Sequence, residues 1–184
     1  SQNLSLRYWY ITPAIYNGEW QYYSNKNLDD LFIPKADLTL EISYPKEYKI
    51  TSELNLYKTH QPTKKQRITL KGSDRISNKL FISKNSDFET IQDKELSIVS
   101  NINGEKIELL DRVLITEKIT KFIFENLGNY PHEKMLLTDV DYNKDPIYGL
   151  NFLPSFIKLY PNNFQYELKL LKVALHNYLE NTLL

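Results

Sequence analysis

The 184 residues set 23 Lys and Arg against 23 Asp and Glu, so the chain lacks the basic excess of a phosphate-binding surface and no nucleic-acid partner is expected. The absence of cysteine excludes disulfides, thiol catalysis and Cys-ligated zinc, and leaves His and carboxylates as the metal ligands. No apolar run is long enough to span a bilayer as a helix, and an apolar content of 41% is enough for a buried core in one large domain or two small ones.

From Leu6 to about Ser100, short segments rich in β-branched and aromatic residues are separated by turn clusters, which predicts strands. The candidates are Leu6 to Thr12, Trp20 to Tyr23, Leu38 to Tyr44, Tyr48 to Asn55, Arg67 to Leu70, Lys79 to Ile82 and Leu96 to Val99. Asn17-Gly18 signals a hairpin between the first two. Pro45 and Lys46 part the third and fourth, Lys71-Gly72-Ser73-Asp74 closes the fifth, and Asn103-Gly104 marks another turn. The basic run Lys64-Lys65-Gln66-Arg67 reads as a solvated turn. Because Leu6 to Ile11 already alternates with nothing ahead of it to pair, the chain is expected to be an excised or processed piece.

The pattern changes near Leu110. Thr116 is a suitable N-cap for a helix from Glu117 to Leu127, with Ile119, Phe122, Ile123 and Leu127 on one face and Gly128 as the stop. An apolar, buried strand is expected around Leu136. A last helix runs from Phe164 to Leu184, capped by Asn162 or Asn163, with Phe164, Leu168, Leu171, Leu175, Tyr178 and Leu179 at helical spacing. The fold class is therefore α+β: an antiparallel β-sandwich or saddle-like domain over residues 1–110, then a mixed α/β segment over 111–184.

Phe124 to Pro154, FENLGNYPHEKMLLTDVDYNKDPIYGLNFLP, gives in order a helix end, a Gly-x-Tyr-Pro turn, an apolar strand, a loop and Tyr148-Gly149-Leu150-Asn151. This order resembles the start of the catalytic domain of the aminopeptidase N family of zinc peptidases, the gluzincins. There a helix and a G-x-YP turn lead into strands, then a substrate-contacting G-x-M-E-N strand, then the HExxH helix. A less specific likeness covers Asn27 to Thr39, NLDDLFIPKADLT, and Glu41 to Leu54, EISYPKEYKITSEL, where the family has an acidic Pro-containing turn, a strand, a P-x-x-Y turn and a return strand. The resemblance implies that residues 111–184 form the leading part of a thermolysin-like catalytic domain.

In an active family member, two His four residues apart on one helical face hold zinc, and the Glu beside the first activates water. Aligning HExxHQWxGN with Lys172 to Asn181 places Lys172 at the first ligand and Val173 at the catalytic Glu, with His176 and Asn181 matching. Lys172, Val173, His176 and Asn181 thus mark a degenerate zinc-motif helix, and no cofactor is expected in this chain. The family's G-x-M-E-N carboxylate holds a free α-amino group. Tyr148, Gly149, Leu150 and Asn151, the candidates for the substrate cleft, contain no Glu, and the basis for reading a peptide N-terminus is missing. The expectation is an aminopeptidase N-like homologue without catalysis of its own, a pseudoenzyme binding peptide or protein. Two alternatives stay open: an active zinc aminopeptidase whose metal site lies beyond residue 184, and a non-enzymatic module that binds glycan or protein through an aromatic hairpin. The compartment is open, and the resemblance leans towards an exported bacterial protein.

That hairpin carries Tyr8, Trp9, Tyr10, Tyr16, Trp20, Tyr22 and Tyr23, which cross-strand packing accounts for without a ligand. Asp139, Asp141, Asn143 and Asp145 alternate like a calcium loop, but Lys144 and Leu150 stand where Gly and a bidentate Glu are required. His60 and His132 have no Ser or Asp partner visible in sequence.

Overall fold

The computed structural model describes residues 3–7, 9–12, 14–21, 34–61, 64–93, 96–102, 104, 106–140 and 162–183. The class is α+β, with mostly antiparallel strands and two helices among the described residues. Two compact units divide after Ser86.

The first unit contains β1 (Leu4–Leu6), β2 (Ile15–Tyr16), β3 (Trp20–Gln21), β4 (Ala36–Tyr44), β5 (Lys49–Ser52), β6 (Asn55–Thr59), β7 (Gln66–Arg75) and β8 (Leu80–Ser83). Strands pair in the orders β1-β8-β5 and β4-β7-β6, all antiparallel, with β2 and β3 forming a separate hairpin. Alternate residues Leu38, Leu40, Ile42 and Tyr44 of β4, with Ile68 and Leu70 of β7, share one core with Leu6, Ile50, Leu80 and Ile82 of the other sheet. Apolar faces from both sheets thus close on each other as in a sandwich.

Three expected strands differ in extent. The strand at Leu6 stops there, and Trp9 instead donates its Nε1–H to the Asn78 carbonyl at 3.1 Å. Tyr48 to Asn55 is not one strand. It changes sheets at Glu53-Leu54, where Leu54 is wholly buried, so β5 and β6 belong to different layers. Lys71-Gly72-Ser73-Asp74 does not end a strand either. β7 runs through it to Arg75, and the pairing shifts between Ala36 and Leu38 as Asp74 takes a φ of 52°. The Gly and Asp that resemble turn chemistry serve a β-bulge.

The second unit contains β9 (Glu89–Asp93), β10 (Leu96–Ser100), α1 (Leu109–Leu127), β11 (Lys134–Leu137) and α2 (Asn162–Leu183). β9 and β10 form an antiparallel pair, and β11 lies parallel to β10, so α1 is the crossover that parallel neighbours require. This pairing ties β9 and β10 to the helices and puts the division at residue 86, not near 110, where the sequence pattern changes. Ile98 and Ile102, Ile119 and Ile123 of α1, Met135 and Leu137 of β11, and Leu170, Val173 and Ala174 of α2 make a single core.

Both helices depart from their expected faces. α1 begins two turns before Thr116, which is buried mid-helix with its hydroxyl donating to the Arg112 carbonyl at 2.7 Å. It satisfies itself within the helix as Ser and Thr do when removed from a cap. Ile119 and Ile123 are buried as expected, whereas Phe122 and Leu127 are exposed. Gly128 does end the helix, with φ at 103° and its N–H bonded to the Phe124 carbonyl at 3.0 Å. On α2 the buried face is Tyr166, Leu170, Val173, Ala174, Asn177 and Tyr178, while Phe164, Leu168 and Leu179 are partly exposed. Leucines occupy both sides of this helix, so spacing alone selects the face only in part: Tyr178 is buried and Leu171 packs on the core as expected.

Candidate functional site

The stretch after α1 is anchored by α2. Strand alternation sends the carbonyls of Glu133 and Leu137 towards β10, where they accept from Ser97 at 2.8 Å and Asn101 at 3.2 Å. The intervening Leu136 carbonyl therefore points away from β10. Asn177, 2% exposed on α2, receives it: its Nδ2–H donates to Leu136 at 3.3 Å, and its Oδ1 accepts the Tyr130 hydroxyl at 2.7 Å. One residue on, the Tyr178 hydroxyl donates to the Leu127 carbonyl at 2.7 Å, one of those the helix end leaves open. Tyr130 also lies against Tyr178 and meets His132 edge-on, with ring centres 6.3 and 5.5 Å away. The Tyr-Pro turn is thus pinned at both ends.

Beside this turn is a groove of about 820 Å³, bounded by Glu117, Lys121, Phe124 and Glu125 of α1, Leu96 at the start of β10, and Asn129 to Glu133. Its size falls within the usual range for ligand sites. Leu96 and Phe124 supply apolar surface. Among the described residues its lining holds three carboxylates, Glu117, Glu125 and Glu133, and one ammonium, Lys121, which lies 3.8 Å from Glu125. The arrangement suits a ligand with cationic and apolar groups.

The zinc-motif positions are not assembled for a metal. Val173, which the resemblance aligns with the general base, is 2% exposed inside the apolar core. Lys172 and His176 are half-buried, four residues apart on α2, and an ammonium at the first ligand position repels zinc. Asn181 donates to the Asn177 carbonyl at 2.8 Å, a bond within the helix. These residues do not fit zinc. Among the described residues, no group of three or more His, Cys, Asp or Glu could hold a metal ion. Tyr148, Gly149, Leu150 and Asn151 lie outside the described residues, as do Asp141, Asn143 and Asp145 of the calcium-like run. Asp139, the first of that run, pairs with Lys169 at 2.5 Å.

Elsewhere, His60 Nε2 lies 2.9 Å from the Thr69 hydroxyl and 3.7 Å from Glu41. Both partners meet the same ring nitrogen, so the carboxylate does not orient the imidazole from its far side as a catalytic triad needs. Glu41 is instead held below its ordinary carboxylate range by the Arg67 guanidinium hydrogen-bonded to it at 2.5 Å. In the second unit, burial raises the Tyr166 hydroxyl above its usual range. In the hairpin, Tyr16 and Trp20 face each other across the strands at 5.3 Å, the contact expected from sequence, yet are 63% and 55% exposed.

Sequence reasoning missed Asn177 and the α1 side of the groove. Asn177 is marked by falling at the helical spacing of Tyr166, Leu170 and Val173, and Glu117, Lys121 and Glu125 by their spacing of four. No family model matches this sequence, and no curated protein matches it either.

Proposed function

We propose that the chain is part of an aminopeptidase N-like metallopeptidase homologue that does not hydrolyse peptides by itself and binds peptide or protein segments. The observation that carries this reading is the burial of Val173 in the core of the second unit. A helix whose general-base position packs against strands and a neighbouring helix acts as scaffold. What it supports, through Asn177 and Tyr178, is the turn that walls the groove.

An amide-resolved NMR titration with a pool of unstructured short peptides tests this. Shift changes should gather at residues 117–133 and leave 172–176 unaffected. Changes centred on Lys172 and His176, or none at all, would overturn the proposal. The exposure of Tyr16 and Trp20 supports a second reading, in which the hairpin stacks on a glycan or protein. Quenching of Trp20 fluorescence by an oligosaccharide, abolished by Tyr16→Ala, would favour it over the groove.

A further inference from the structure

Resting on the peptide-binding reading, we infer that the groove selects an extended segment bearing Lys or Arg at two positions four residues apart, with an apolar residue midway. The charge balance gives the sign, since among the described residues of the α1 wall Glu117 and Glu125 outnumber Lys121. The helix supplies the spacing. Glu117 and Glu125 are eight residues apart on α1, which at 1.5 Å per residue is about 12 Å. An extended peptide advances about 3.3 Å per residue, so its side chains i and i+4 share one face about 13 Å apart. These two separations match.

Between the two carboxylates stands Lys121, with Phe124 beside it. The side chain at i+2, on the same face of the peptide, meets that ammonium and that ring. A third basic residue there is repelled, whereas a leucine gains contact with Phe124. Glu133, after the Tyr-Pro turn, also lines the groove. The groove thus reads a charge pattern as well as a sign.

The test is fluorescence anisotropy of labelled nonapeptides with the full chain. One carries Lys at positions three and seven and Leu at five; a second replaces the Leu by Lys; a third replaces both flanking Lys by Glu; spermidine is the competitor. The first peptide should bind best, the second several-fold more weakly, and the third not measurably. Glu117→Gln combined with Glu125→Gln should weaken the first about tenfold, as two exposed ion pairs are lost. Raising salt well above the physiological range should weaken it comparably. Glu47→Gln, in the other unit, should change nothing. If the acidic and basic peptides bind alike, the charge inference fails and the peptide-binding reading survives. If the triple-Lys peptide wins, or spermidine displaces the first peptide at equal concentration, the pattern inference is overturned. If no peptide binds, both fall.

Discussion

Replacing Asn177 by Ala tests whether α2 holds the Tyr-Pro turn in place. The amide donates to the Leu136 carbonyl, on a residue that is wholly buried, and accepts from Tyr130. Leaving a buried carbonyl unsatisfied costs about 1–3 kcal/mol, and the lost tyrosine bond adds about 1 kcal/mol. The expected loss for the second unit is thus roughly 2–4 kcal/mol. Asn181→Ala is the matched control. It removes a bond to the carbonyl four residues back within the same helix and a long contact to Asn177 Oδ1 at 3.5 Å, and gains helix propensity, so its effect is expected within about 0.5 kcal/mol of zero. Both helices lie in the second unit, so far-ultraviolet circular dichroism during urea unfolding reports on it. With a slope of about 1–3 kcal/mol per molar urea, Asn177→Ala should move the midpoint by about 1 M or more. A shift indistinguishable from that of Asn181→Ala would refute the anchoring role.

Three other outcomes follow from the same structure. Lys79 and Glu53 form a buried ion pair at 3.5 Å, with Glu53 also accepting from Ser77 and the Lys79 backbone, so Lys79→Ala should destabilise the first unit by about 3–5 kcal/mol, and Lys79→Met should not restore it while Glu53 remains charged; thermal unfolding reads the difference. Gly128→Ala places a side chain at a φ of 103°, in backbone space nearly reserved for glycine, and should cost about 1–3 kcal/mol although a Cβ there meets nothing closer than 3.5 Å; a neutral result in urea would show that the helix end relaxes. Because Arg67 depresses the Glu41 carboxyl, its small contribution is present above the unfolded-state pKa and lost as pH falls through the folded one. Arg67→Gln should raise the Glu41 midpoint towards its ordinary value in a carbon-detected NMR titration, and an unmoved midpoint would exclude the guanidinium as cause.

The α+β class was legible because composition and period change along the chain: β-branched alternation before residue 100, helical spacing after it. Local punctuation was less dependable. Gly128 ended its helix as read, but Gly72 and Asp74 lie within a strand, since bulges and turns draw on the same residues. The division between units was hidden, because β10 pairs with β11 across the whole of α1 and no short-range signal announces a parallel partner. The last helix was placed correctly and its face was read only in part: Tyr178 is buried and Leu171 packs on the core, but Phe164, Leu168 and Leu179 are exposed. Leu168, Leu175 and Leu179 repeat on one side, yet the core takes Tyr166, Leu170, Val173 and Asn177 from another. That rotation affects the candidate site most, since it buries Val173 and makes Asn177, not Asn181, the amide that matters.

The most direct test of the account is zinc content by elemental analysis after dialysis against a weak chelator, for wild type and His176→Ala, alongside hydrolysis of an aminoacyl reporter. A helix with Val173 in the core and Lys172 beside it predicts substoichiometric zinc in both proteins and turnover no higher than the blank. Stoichiometric zinc that disappears with His176, or turnover above the blank, would contradict it.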